Sequence, residues 1–367
     1  MKYLLYIGPG IGDFALALPM ARRIKLNDKN AYIVAFTASS NDKFGVTKEL
    51  LKLQRWIDEI GYYSLREPWQ NMKLLWNFGY KNYDYGIKIS VVNSKYASQW
   101  PNRIMKVAAK KILGMNLSNK PELKYDYSVE FSESKDVRLQ TFDMLAKIGI
   151  EIIDEESKHS LFDTNAFPLD AGLSALFLKK HKVIVMLPGC MELPVTADGK
   201  NGRKQAKKWD YGYWYKLGKI LSDNGYWAVL LGGRKEKSEI AFLSEKPDAR
   251  IVSLCGETSL SESIALLQHA DLVIGAETGM MHCAIAVGTP TLMLLGPTSG
   301  KKFSSWSSQS FFIQSEELCS PCFGTDKLIN CNDFKCMRSI TVEMVYQKVL
   351  EILDGVQAKK YENKTDL

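Results

Sequence analysis

The chain lacks any apolar run near the roughly 18 residues that a membrane-spanning helix needs. It also lacks the G-x-G-x-x-G spacing of the dinucleotide fingerprint. No internal repeat is visible beyond a general alternation of strand and helix patterns. Neither sign of charge dominates: 48 Lys and Arg stand against 41 Asp and Glu, a net +7. So mild a balance suits an anionic substrate or a membrane surface and argues against nucleic acid as a partner. The apolar opening, Met1 to Ile7, runs straight into Gly8-Pro9-Gly10 and is short for a signal-peptide core. The expectation is a cytoplasmic protein whose seven cysteines are mostly reduced thiols.

What is present is an ordinary soluble composition, 46% hydrophobic and 24% charged over 367 residues, enough for two cores. Both halves alternate apolar strand-like runs with helical stretches, and each carries a glycine loop at a strand end. That pattern predicts α/β architecture: two Rossmann-like, doubly wound domains facing a central cleft. The expected bounds are 1–165 and 166–345, followed by 346–367 as a last helix packing across the cleft, with a polar, disordered tail. A polar stretch with little periodicity, 154–170, reads as the linker.

The most informative stretch is Asp271 to Thr298. Leu272-Val273-Ile274 reads as a strand, Glu277-Thr278-Gly279 as a turn, Met280 to Val287 as a helix ended by Gly288 and Pro290. Thr291 to Leu295 reads as a second strand. Such a unit sets helix-start amides at the carboxyl end of a buried strand, where open α/β sheets bind phosphorylated ligands. Near the amino terminus, Tyr3 to Ile7 reads as a strand. Gly8, Gly10 and Gly12 then form a loop that leads through Asp13 into a helix to about Leu26.

Both stretches resemble the heptosyltransferase family of bacterial glycosyltransferases. The family signature (D/E)-T-G-x-x-H-x-A…G-x-P…G-x-T is matched by Glu277, Thr278, Gly279, His282, Ala284, Gly288, Pro290, Gly296 and Thr298. Its opening loop of Pro-Gly and a following (I/L)-G-D, and the L-x-L-P after it, are matched by Pro9, Gly10, Gly12, Asp13, Leu16, Leu18 and Pro19. The resemblance implies a GT-B fold, an ADP-heptose donor and a lipopolysaccharide-core acceptor; peripheral contact with the inner membrane surface is a separate expectation, in keeping with the mild positive charge. It implies Asp13 as general base, and a diphosphate held by Lys207 or Lys208, Thr278, Gly279, Met280 and His282. Glu236 and Glu277 would lie near the base or ribose, and no cofactor would be required. A helix start favours a charged carboxylate, so Asp13 would be a modest base, sufficient if the leaving group does most of the bond breaking.

Three further features need weighing. Pro101 to Met115 has a helical pattern that puts Arg103, Lys106 and Lys110 on one face. Such a stripe is commonly just solvated, and the other reading is a seat for an anionic glycolipid. The aromatics from Trp56 to Tyr85 read mostly as core. Cys319, Cys322, Cys331 and Cys336 follow C-x2-C-x8-C-x4-C, a spacing that suits a structural zinc or iron. That cluster keeps open a protein heptosyltransferase with a cysteine-bound metal. A non-catalytic nucleotide-sugar-binding protein is the remaining alternative.

Overall fold

The computed structural model describes residues 1–38, 48–64, 67–89, 100–116, 125–151, 160–163, 169, 172–174, 181–190, 193–194, 203–241, 248–323 and 325–365. The chain divides into two compact units, Met1–Ala166 and Phe167–Leu367. The expected linker, 154–170, lies almost wholly outside the described residues.

The first unit holds a six-stranded sheet: β1 (Lys2–Tyr6), β2 (Tyr32–Ala38), β3 (Glu59–Tyr63), β4 (Tyr83–Lys88), β5 (Ala109–Asn116) and β6 (Tyr127–Glu130). Its order is β3-β2-β1-β4-β5-β6, and every pairing is parallel. Parallel neighbours need crossovers, and helices on both faces supply them. The helix Ile11–Asn27 packs against Val137–Ala146. The helices Pro68–Phe78 and Trp100–Ala108 share another cluster, where Leu74, Phe78, Ile104 and Met105 meet Leu4, Val34 and Phe36 of the sheet.

The second unit repeats the plan. Its strands are β7 (Val183–Leu187), then β10 (Trp227–Leu230), β11 (Ile251–Ser253), β12 (Leu272–Ala276), β13 (Thr291–Leu295) and β14 (Ser310–Gln314). Between them a short antiparallel pair, β8 (Leu193–Pro194) and β9 (Arg203–Lys204), stands apart. The main order is β11-β10-β7-β12-β13-β14, again parallel throughout. β7, β12 and β13 are buried along their whole length, as expected of strands covered on both faces. Both sheets thus have the doubly wound 3-2-1-4-5-6 order.

The structure departs from the sequence reading in three places. The predicted helix Pro101 to Met115 stops at Ala108, and Ala109–Asn116 is β5. Pairing beside β4 and burial of Ile112, Leu113 and Met115 override a pattern that suits either state. Trp69, Trp76 and Tyr80 are exposed rather than core, although Tyr63, Phe78 and Tyr83 are buried as expected. The final helix runs Val342–Thr365, so the tail expected to be disordered after Val356 is helical to Thr365. Ala, Lys, Glu and Gln there are good helix formers, and no Pro or Gly follows Gly355. Val345, Val349, Ile352 and Leu353 of this helix sit in the second unit's own core. The side chains beyond Gly355, and with them any packing toward the first unit, lie outside the described residues.

Candidate active site

In a doubly wound sheet the crossovers diverge at the central pair of strands, and the crevice that opens at their carboxyl ends binds the ligand. Those pairs here are β1 with β4, and β7 with β12. The loop after β1 is Gly8 to Gly10 with Asp13 beyond it. The loop after β7 is Pro188-Gly189-Cys190, and the turn after β12 is Glu277-Thr278. Two of these switch-point loops, those after β1 and β12, therefore carry the residues singled out from sequence. The fourth, after β4, lies outside the described residues.

In the first unit, Gly10 caps the helix Ile11–Asn27, and its amide donates to Asp13 Oδ2 at 2.9 Å. Asp13 therefore does fill the structural role open to a first-turn carboxylate. Gly12 is buried in that helix. The carboxyl group lies directly against Gly8: a Cβ there would stand 2.4 Å from Asp13 Cγ. Burial, the neighbouring Tyr63 and the Asp13 charge together raise the Tyr6 phenol well above its ordinary range. Gly8→Ala should accordingly displace the Asp13 carboxylate and cost about 1–3 kcal/mol of stability, an overpacking effect measurable by thermal melting.

In the second unit, Lys207, Glu277 and His282 converge. The Lys207 ammonium ion-pairs with Glu277 Oε2, and Glu277 Oε1 lies 3.0 Å from His282 Nε2. Lys207 Nζ also sits 5.0 Å from the centre of the Phe323 ring, and the His282 ring meets Phe303 edge-on. Burial alone would raise the Glu277 carboxyl. Lys207 and His282 overcome that and hold it well below the ordinary carboxylate range.

The helix Gly279–Ala286 starts beside this triad. Its N-cap, Thr278, makes no side-chain cap hydrogen bond, so the first-turn amides are not closed off by their own cap. His282 is 3% exposed, and its Nδ1 has no hydrogen-bond partner among the described residues. A buried ring nitrogen without a partner leaves a polar group unsatisfied beside the helix start.

The other predicted residues separate. Lys208 turns to Glu239 at 3.7 Å and to the Tyr211 ring at 4.0 Å. Glu236 accepts from the Gly233 amide at 2.8 Å, and a Cβ on Gly189 would come within 2.6 Å of its Oε1. It thus stays at the carboxyl edge of the sheet, beside the loop after β7. Arg103 and Lys106 are exposed on Trp100–Ala108. Lys110 leaves their face, because it lies in β5 and pairs with Asp84 at 2.8 Å. The sequence reading missed Phe323 and Phe303 as walls of the triad, and no local pattern marks either one.

Cys319, Cys322, Cys331 and Cys336 line one pocket of about 260 Å³, with Lys327 and Lys335 in its wall. Burial first, then the neighbouring thiols, pushes Cys336 up to about 11 and raises Cys322. Metal binding needs thiolates in tetrahedral reach. Among the described residues no three His, Cys, Asp or Glu are disposed to hold an ion. The donor set has the right chemistry without the arrangement, so no step below uses a metal.

The sequence model of glycosyltransferase family 9 (heptosyltransferase) matches residues 156–332. Residues 156–332, a little under half of the chain, are thus similar to that family. The match takes in Lys207, Glu236, Glu277 and His282, the residues gathered along the second sheet's carboxyl edge. Among curated relatives, lipooligosaccharide heptosyltransferase 2 of Campylobacter jejuni is 24% identical over 194 residues, 49% of this chain and 61% of that protein. The Haemophilus influenzae protein of the same name is 36% identical over 98 residues, 26% of this chain and 28% of that one. The matches thus span 61% or less of these two relatives' length. The solved E. coli ADP-heptose lps heptosyltransferase II shares the fold across 97% of this chain and 100% of its own, with TM-score 0.65 and 17% identity. Among the described residues of the heptosyltransferase-like chain, no helix is long and apolar enough to cross a membrane.

Proposed function

We propose that the chain is an inverting glycosyltransferase that moves a heptose from ADP-heptose to a lipopolysaccharide-core acceptor. One observation carries this reading: the two family loops lie at the switch points of two separate doubly wound sheets. Sugar transfer needs two different services. The departing diphosphate needs fixed positive charge, and the attacking hydroxyl must lose a proton.

The second unit supplies the first service. The amides of Gly279 and Met280, the Thr278 turn, His282 and Lys207 would stabilise charge growing on the leaving phosphate. Glu277 holds Lys207 and His282 in place, which keeps both donors ordered before the ligand arrives. The first unit supplies the second service. Asp13 takes the proton as the acceptor oxygen attacks the anomeric carbon in line, and one displacement inverts that centre. The curated relatives are named as heptosyltransferases of lipopolysaccharide and lipooligosaccharide, which supports a heptose as the sugar and such a glycolipid as the acceptor.

The test is transfer from ADP-heptose to a heptose-deficient core glycolipid, read by mass spectrometry, with ADP release followed alongside. Heptosylated glycolipid with inverted configuration is the expected product. Binding of ADP-heptose without transfer to glycolipid or protein would replace this reading with that of a carrier. Transfer to protein alone would change the acceptor.

A further inference from the structure

The helix Pro68–Phe78 is amphipathic in an unusual sense, because both of its faces are apolar. Asn71, Leu74 and Phe78 point into the first unit's core. The opposite face presents Trp69, Met72 and Trp76, and the stripe runs on to Tyr80; these are 64%, 60%, 87% and 80% exposed. The spacing i, i+3, i+7 keeps Trp69, Met72 and Trp76 in one row, with the two tryptophans about 10 Å apart along the axis, and Tyr80 follows in the turn after Gly79. Scattered exposed apolar residues are normal on a soluble protein, but a row of three on one helix with a tyrosine beyond its end marks an interaction surface.

The neighbouring helix Trp100–Ala108 packs on the same face of the same sheet, since both helices share one core cluster and touch each other. Its outward residues are Arg103, Lys106 and Val107. The turn after the first helix is tied to the end of the second: Lys81 N donates to Val107 O, and Lys81 Nζ donates to the carbonyls of Lys106 and Ala109. Tyr80 is thereby held next to Lys106 and Val107. Lys73 stands exposed beside Met72. Neither helix contains an acid, and Glu67, at the edge of the stripe, accepts from Gln70. The outward surface of the two helices therefore combines tryptophan, tyrosine and methionine with cations, and Glu67 is the acid at its edge.

We propose that this face docks the first unit peripherally on an anionic lipid surface. Tryptophan and tyrosine settle at the headgroup level, where the ring is apolar and its edge is wet. A basic rim adds attraction to anionic headgroups, and the two signals together give a reversible anchor. Charge complementarity favours a membrane over a second copy, because a self-paired face would set Lys73, Arg103 and Lys106 against their own kind. The inference does not depend on sugar transfer.

The experiment is co-sedimentation of the full chain with two vesicle types. One is made of equal phosphatidylglycerol and phosphatidylethanolamine, the other of phosphatidylcholine alone. Binding is expected to the first, weakening with salt, and much less to the second. Trp69→Ser with Trp76→Ser should weaken it tenfold or more, and Lys73→Gln should weaken it at low salt only. All these side chains are exposed, so an unchanged melting temperature verifies folding. No binding to either vesicle, or equal binding by the tryptophan variant, overturns the proposal. So does a wild-type dimer that Trp76→Ser dissociates, since a second copy would then own the face.

Discussion

Asp13→Asn should lower sugar transfer by about 10² to 10⁴-fold while leaving the fold almost unchanged. The two halves of that expectation separate two roles of one side chain. The carboxylate accepts from the Gly10 amide and so closes the start of the helix Ile11–Asn27. An asparagine oxygen can accept the same bond, so the cap persists. What asparagine cannot do is take a proton from an attacking hydroxyl. Asp13→Ala removes both roles and should cost about 1 kcal/mol of stability in addition. If the asparagine variant retains full transfer, Asp13 is a cap and nothing more. Steady-state rates for both variants, with melting curves, decide the matter.

Glu277→Gln should destabilise the second unit by about 3 kcal/mol, which for a unit of this size is roughly a 10 °C fall in melting temperature. The reason is the partner left behind: Lys207 is 8% exposed and pairs with this carboxylate. A half-broken buried pair costs more than an absent one. Glu277→Gln combined with Lys207→Met should therefore recover much of the loss. The pH dependence has a definite sign. The folded carboxyl is held below its ordinary range, so it stabilises fully above the unfolded value of about 4.3 and loses that contribution as pH falls toward the folded value. Wild type should lose this share of stability only below about pH 4, and Glu277→Gln should lack that acid-dependent part. Urea unfolding at a series of pH values measures it. An unchanged midpoint in the single variant would mean that the ion pair contributes nothing.

Much of the frame could be read from local pattern. The strand β13 has the predicted limits, because Gly288 and Pro290 punctuate its start clearly. Both signature loops lie where a doubly wound sheet opens its crevice. The misses have physical causes. Ala109–Asn116 carries an apolar spacing that suits helix or strand, and only the neighbouring β4 decides it. Lys207 and Glu277 are 70 residues apart, so nothing local announces their pairing, nor the departure of adjacent Lys208 to Glu239. The Pro68–Phe78 helix is apolar on two faces, and periodicity cannot say which one the protein covers. That ambiguity hid the row of exposed aromatics.

The central claim is that the helix start at Gly279, with Lys207 and His282, grips a nucleoside diphosphate. Calorimetric titration with ADP and with AMP, on wild type and on Lys207→Met and His282→Ala, tests it most directly. The account predicts that ADP binds more tightly than AMP, and that each substitution weakens ADP by about tenfold or more while changing AMP little. Equal affinity for ADP and AMP, or ADP binding untouched by both substitutions, would contradict it.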